Sequence, residues 1–203
     1  MSDRTGVSMV QSLPNRWWQL LAGVIAMASI ANLQYAWTMF VNPMQKQWGW
    51  ELAAIQGVFA MFILAETWLV PFEAYLIDRF GNRLIVSIGA LLIGISWVGS
   101  GMATTLEFLY VSYVIGGVGA GAVYGASVGN ALKWFPDRRG LAAGCTAGAY
   151  GAGTALTIWP IQMVIDSGGY QQAFIIFGTI QAIVCLVAAQ FMIAPPRGWL
   201  PAG

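Results

Sequence analysis

The chain has 203 residues, 58% of them hydrophobic and 8% charged, with a formal net charge of +1 and a mean hydropathy of +0.68. A soluble domain carries about 25% charged residues, so this composition excludes one. Histidine is absent and the two cysteines, Cys145 and Cys185, fall inside apolar runs, which leaves no metal-ligand spacing and no disulfide framework.

Six segments approach or exceed the ~20 apolar residues that cross a bilayer. They are Trp17–Val41, Leu52–Phe72, Leu84–Ala103, Phe108–Leu132, Leu141–Ile165 and Tyr170–Ala194. Backbone amides in lipid must be satisfied within the segment, so such runs are helices; a β-barrel would need shorter alternating segments. The expected fold is an all-α membrane protein, a six-helix bundle over 17–194. Residues 1–16 precede it, and 195–203 read as the start of a linker. The first segment is too long for the core of a cleavable signal peptide.

The first span ends in a polar stretch, Asn32 to Pro43, in which Ala31, Tyr35, Thr38 and Asn42 share a face and Gln34 adjoins it. Such a face is costly in lipid unless it meets protein or a water-filled cavity. The second span carries Glu66, followed seven residues later by Glu73. Heptad spacing puts both on one helix face, where a buried carboxylate suits a proton or a cation. Glu73 stands only five residues before Asp78, near the end of the span, and no cation lies inside any span.

The fourth span has Gly117, Gly121, Gly125 and Gly129 at four-residue spacing, and the fifth opens with Gly140, Gly144, Gly148 and Ala152 in one register. Small residues at this spacing let two helix backbones approach closely. Tyr124 lies about one helical step (~100°) round from the first stripe. Gly125-Ala126-Ser127-Val128-Gly129 matches the G-x-S-x-G pattern of serine hydrolases. A serine nucleophile needs a base, usually histidine; with none in the chain, the match is a coincidence of glycine spacing and no enzyme is expected.

Eight of the nine cations fall on one side of this topology: Arg4, Arg16, Arg79, Arg83, Lys133, Arg138, Arg139 and Arg197. Lys46 is alone on the other, beside Glu51, Glu107 and Asp166. The positive-inside rule then places both termini in the cytoplasm, for a multi-pass protein of the cell (inner) membrane. Trp17, Trp18, Trp48, Trp50, Trp134 and Trp199 sit at span ends, as interfacial indoles do.

The loop Glu73-Ala74-Tyr75-Leu76-Ile77-Asp78-Arg79-Phe80-Gly81-Asn82-Arg83 resembles the G-x-x-x-D-R-x-G-R signature of the major facilitator superfamily. Asp78, Arg79, Gly81 and Arg83 match, and Ala74 replaces the first glycine. Trp134-Phe135-Pro136-Asp137-Arg138-Arg139-Gly140 resembles the second signature loop. Both loops belong to the family's conformational machinery. Within the superfamily, Gln34-Tyr35, Trp37-Thr38, Asn42-Pro43, Tyr124-Gly125 and Ala149-Tyr150-Gly151 resemble the oxalate:formate antiporter family.

That resemblance implies the N-terminal half of the family fold, two inverted three-helix repeats. It implies an anion cavity lined by Gln34, Tyr35, Tyr124 and Tyr150, with Thr38, Trp37 and Glu66 as further cavity or coupling residues. The family's principal cationic partners for the anion belong to a second half. The implied activity is alternating-access transport of small carboxylates, of the oxalate, formate or short monocarboxylate kind. The implied partners are a small organic anion, the bilayer, and a C-terminal half or a second copy; no cofactor, metal or nucleic acid is expected. Two other readings stay open: a six-helix protein that pairs with itself or with a separately encoded half, and a non-transporting receptor or assembly subunit.

Overall fold

The computed structural model describes residues 15–196 and 199. Among them nine helices follow one another: α1 (Arg16–Ile30), α2 (Asn32–Tyr35), α3 (Trp37–Trp48), α4 (Leu52–Trp68), α5 (Val70–Phe80), α6 (Asn82–Met102), α7 (Leu106–Trp134), α8 (Arg139–Gly168) and α9 (Tyr170–Phe191). They form six rods. The readings placed on 1–14, on Arg4 and Arg197, and on most of 195–203 lie outside the described residues.

The first rod is α1 to α3, a single span of 33 residues that runs beyond the expected end at Val41. Its junctions, Ala31 and Ala36, keep right-handed dihedrals, but the winding tightens there. The Gln34 N–H bonds the Ala31 carbonyl at 3.2 Å and the Met39 N–H bonds that of Ala36 at 3.0 Å. Such three-residue turns inside a helix mark a hinge or local strain. Pro43 sits within α3 without ending it, and Gly49, at φ 67°, closes it.

The second rod does not end at Phe72 as expected. It continues to Phe80 and bends by 49° between α4 and α5. Pro71 is the second residue of α5 and cannot donate to the Thr67 carbonyl one turn back, which weakens the helix there. Gly81 then takes φ 86°, a conformation that strains any side chain, and the turn into α6 follows.

Four rods are long and apolar enough to cross a membrane, and the bent pair makes a fifth. The remaining one, α8, has ample length at 30 residues, but its Gly, Ala and Thr content makes it the least apolar. The contacts repeat with a pattern. α4 packs on α7 as α8 packs on α1, and α6 packs on α7 as α9 packs on α1. Short connections make successive rods alternate in direction, so the second set of three is inverted relative to the first. Two inverted three-helix repeats are what the resemblance implies.

Glycines of α7 set the closest approaches. A methyl on Gly119 would stand 2.7 Å from the Gly89 carbonyl, and one on Gly89 would stand 2.8 Å from that of Gly119. Gly117 presses on the Phe62 carbonyl of α4, and on α8 Gly153 presses on Ala28 of α1. The expected packing role fails on the rest of α8. Gly140, Gly144, Gly148 and Gly151 are exposed and meet nothing within 4 Å. Their stripe points away from the bundle, because α8 uses Thr146, Tyr150, Gly153 and Thr157 to meet its neighbours. Trp134 is also not an interfacial indole: it is 1% exposed, and its Nε1–H donates to the Ile193 carbonyl at 2.7 Å.

Candidate functional site

Midway along the bundle a cavity of about 560 Å³ opens between α2, α4, α5, α7 and α8. Its lining includes Gln34, Tyr35, Glu66, Tyr124 and Tyr150, together with Ile63, Thr67, Val70, Gly121, Gly125, Val128, Gly129 and Leu132. The space exists because α7 presents glycines here. Gly125 touches only the tip of Ile77, and Gly129 meets nothing within 4 Å.

Tyr150, 5% exposed, is the hub. Its ring meets the edges of Tyr35 and Tyr124, at centroid distances of 5.4 and 5.6 Å. Its hydroxyl lies 2.8 Å from Gln34 Oε1 and 2.9 Å from Glu66 Oε1. A phenol has a single hydrogen. Both bonds form together when the Gln34 amide turns its NH₂ toward Tyr150 and the phenol donates to Glu66, a flip that heavy-atom positions alone do not distinguish. Tyr35 and Tyr124 are 48% and 37% exposed, so two phenols face the cavity while the third is committed behind them. Hydroxyls, an amide and ring edges form a donor-rich wall suited to a small anion.

The other sequence candidates separate. Trp37 is buried at 1% exposure and turns away from the cavity; its Nε1–H donates to Gln56 Oε1 at 3.3 Å, and its ring meets Tyr113. Thr38 lines a second cavity, about 440 Å³, at the far end of the first rod with Asn42, Lys46, Gln162 and Asp166. A cavity of about 610 Å³ between α1 and α9 is walled chiefly by Trp18, Leu21, Ile25, Val187, Phe191 and Ile193; its outward apolar walls suit lipid chains better than an anion. Ser127 is fully buried on α7, which fits no hydrolase nucleophile.

The signature-loop residues gather at one end. Lys133 Nζ pairs with Asp78 at 3.1 Å. Arg16 reaches both oxygens of Asp137 at 2.9 and 3.0 Å, with Arg138 at 3.7 Å. Arg79 donates to the Tyr75 hydroxyl at 3.2 Å, and Arg83 grips Gln190 at 2.6 and 3.0 Å. Arg139 is exposed at the start of α8.

Sequence reasoning missed Gln19 and placed Glu73, which it read on one helix face with Glu66, at the end of the span. Gln19 donates to the Phe191 carbonyl and accepts from the Ile193 N–H, both at 2.8 Å, and so clamps the end of α9 to α1. Glu73 is 5% exposed and neither carboxyl oxygen has a hydrogen-bond partner among the described residues. A polar residue amid the apolar run of the first span was the available signal for Gln19; for Glu73 the signal was its spacing from Glu66.

The profile of the Major Facilitator Superfamily matches residues 20–202. The oxalate:formate antiporter of Oxalobacter formigenes is 36% identical over 87% of this chain and 42% of its own length. An uncharacterized 38 kDa protein of Thermoproteus tenax is 27% identical over 92% of this chain and 49% of its own. Human monocarboxylate transporter 14 is 29% identical over 59% of this chain and 24% of its own. The chain thus spans less than half the length of these relatives. Bundle, signature loops and profile agree: this chain belongs to the Major Facilitator Superfamily, whose members are multi-pass membrane transporters rather than enzymes.

Proposed function

We propose that this chain is the N-terminal half of a secondary transporter for small carboxylates, with its signature loops and both termini on the cytoplasmic side of the cell membrane. The observation that carries this reading is the convergence of Gln34, Tyr35, Tyr124 and Tyr150 on one mid-bundle cavity. Neutral donors bind a carboxylate without trapping it, as alternating access requires. Similarity to an oxalate:formate antiporter and to a monocarboxylate transporter supports the substrate class. Among the described residues no basic side chain lines the cavity, so the charge that completes the site comes from a second six-helix half. The outer faces of α5 and α8 suit that partner: Phe72, Leu156 and Trp159 there are 69%, 79% and 74% exposed. Reconstituting labelled oxalate, formate and short monocarboxylate transport, with and without a complementary half, tests the reading; no uptake of any of them by the paired halves would sink it.

A further inference from the structure

The mid-bundle cavity accounts for Gln34 and Tyr35 but not for the polarity that continues past them on the first rod. Tyr35, Thr38, Asn42 and Lys46 fall within about 80° of one another round the helix, and Lys46 stands about 16 Å along the axis from Tyr35. All four are exposed. Thr38, Asn42 and Lys46 line the cavity of about 440 Å³ between α3 and α8, at the end opposite the signature loops.

These side chains are uncommitted. Thr67, Thr146, Thr157 and Thr179 turn their hydroxyls back onto carbonyls of their own helices at 2.6 to 2.9 Å, as threonine in a helix commonly does. Among the described residues Thr38 makes no such bond, Tyr35 and Asn42 have no side-chain partner, and Lys46 has neither a hydrogen bond nor an ion pair. A phenol, a hydroxyl, an amide and an ammonium thus follow one another along one face, each with a donor to offer a carboxylate.

The charges around them sharpen the point. Glu51, Glu107 and Asp166 share this end of the bundle with Lys46. An anion arriving here meets three carboxylates, and the one attracting charge among the described residues stands in this cavity. Asp166 lines the cavity too, but Gln162 holds it at 2.7 Å and it does not pair with Lys46. It lowers the pull of the ammonium without cancelling it, which suits a site that must release what it captures.

We propose that Lys46, Asn42 and Thr38 form a second carboxylate site, which captures the anion at the outer end of the first rod and passes it toward Tyr35. The inference rests on the carboxylate reading of the mid-bundle cavity. It gives a role to the polar residues of this span that the cavity itself leaves unused.

The chain has two lysines, Lys46 and Lys133, and Lys133 is paired with Asp78 at the opposite end. Lysine-labelled chain in lipid nanodiscs therefore gives a two-signal nuclear magnetic resonance titration with an internal control. At constant ionic strength, formate and oxalate should shift the Lys46 signal saturably and leave Lys133 in place. Asn42→Ala should weaken that titration by roughly fivefold, the loss of one neutral hydrogen bond; Tyr35→Phe, at the other site, should leave it unchanged. A Lys46 signal that does not move, or that chloride moves equally, overturns the proposal on wild type alone. In liposomes holding the chain paired with its complementary half, Lys46→Gln should lower kcat/KM for external oxalate on the order of tenfold. The value for internal oxalate should stay unchanged, and high salt should erase the difference between variant and wild type. Unaltered transport from both sides overturns the capture role and leaves the carboxylate reading standing. A saturable Lys46 shift with no carboxylate transport by the paired halves supports the outer site and overturns that reading.

Discussion

Tyr150 and Glu66, on helices α8 and α4, meet at 2.9 Å through a phenol-to-carboxylate hydrogen bond behind the cavity wall. The bond ties the second inverted repeat to the first at the level of Gln34. Tyr150→Phe keeps the ring edges against Tyr35 and Tyr124 but removes the hydroxyl. A partly buried carboxylate that loses its donor costs about 1–3 kcal/mol. The expected outcome is a lower unfolding midpoint and oxalate binding weakened by roughly tenfold, measured by thermal unfolding and by isotope uptake in the paired transporter.

Gln34→Ala and Tyr35→Phe probe the open side of the same cavity. Tyr35 is 48% exposed, so its hydroxyl is free for a ligand and its loss should barely alter stability. Each change removes one neutral hydrogen bond, worth about 1 kcal/mol net, or roughly fivefold in affinity. Unchanged exchange of oxalate or formate in liposomes would count against the assignment of these side chains to the anion.

The glycines of α7 and α8 should answer substitution in opposite ways. Gly119→Leu on α7 forces side-chain atoms into the Gly89 backbone; overpacking of this kind costs about 1–3 kcal/mol or more. Gly148→Ala on α8 meets nothing within 4 Å and removes helical glycine entropy, so it should leave the isolated bundle as stable or slightly more so. Thermal unfolding of both variants in the same detergent checks the contrast.

Of the two ion pairs that join elements at the signature-loop end among the described residues, Arg16–Asp137 should matter more. Its side chains are 19% and 35% exposed, against 48% and 75% for Lys133–Asp78. The Arg16 guanidinium also lies 4.8 Å from the Phe135 ring centroid. Exposed pairs contribute about 0.2–1 kcal/mol and fade with salt. Double-mutant cycles at low and high salt should give a small, salt-sensitive term for Lys133–Asp78 and a larger, more persistent one for Arg16–Asp137.

Gln19→Leu removes both bonds from α1 to the end of α9. Two hydrogen bonds at about 1 kcal/mol each should appear as faster hydrogen exchange confined to residues near Met192, with the centre of the bundle unaffected.

Much of this was legible in the sequence. The six rods followed from apolar run length; Gln34 and Tyr35 stood out as polar side chains that lipid would reject, and their grouping with Tyr124 and Tyr150 came from the family resemblance. What stayed hidden has a common physical cause: hydropathy does not say whether an apolar or small residue faces protein or lipid. The α7 and α8 glycine stripes look alike in one dimension, yet one packs and the other is open. Trp134 reads as an interfacial indole until its N–H is seen on the Ile193 carbonyl. Trp37 sits beside Thr38 in sequence but about 100° round the rod from it, turned into the core. The bend at Leu69 was not read from the sequence, because the effect of Pro71 depends on whether neighbouring helices hold the rod straight. Glu73 looked like the edge of a loop because the extension of the rod to Phe80 was not apparent from its mixed composition.

The open stripe on α8 has an entropic meaning as well. Gly and Ala have almost no rotamers to lose when covered. A surface built from Gly144, Gly148, Gly151 and Ala152 can therefore be covered and uncovered many times with almost no side-chain ordering on this face. On the proposed alternating-access reading, such a face keeps neither of two arrangements trapped. Cys145, exposed beside it, is a native thiol placed to report by alkylation when that face is covered.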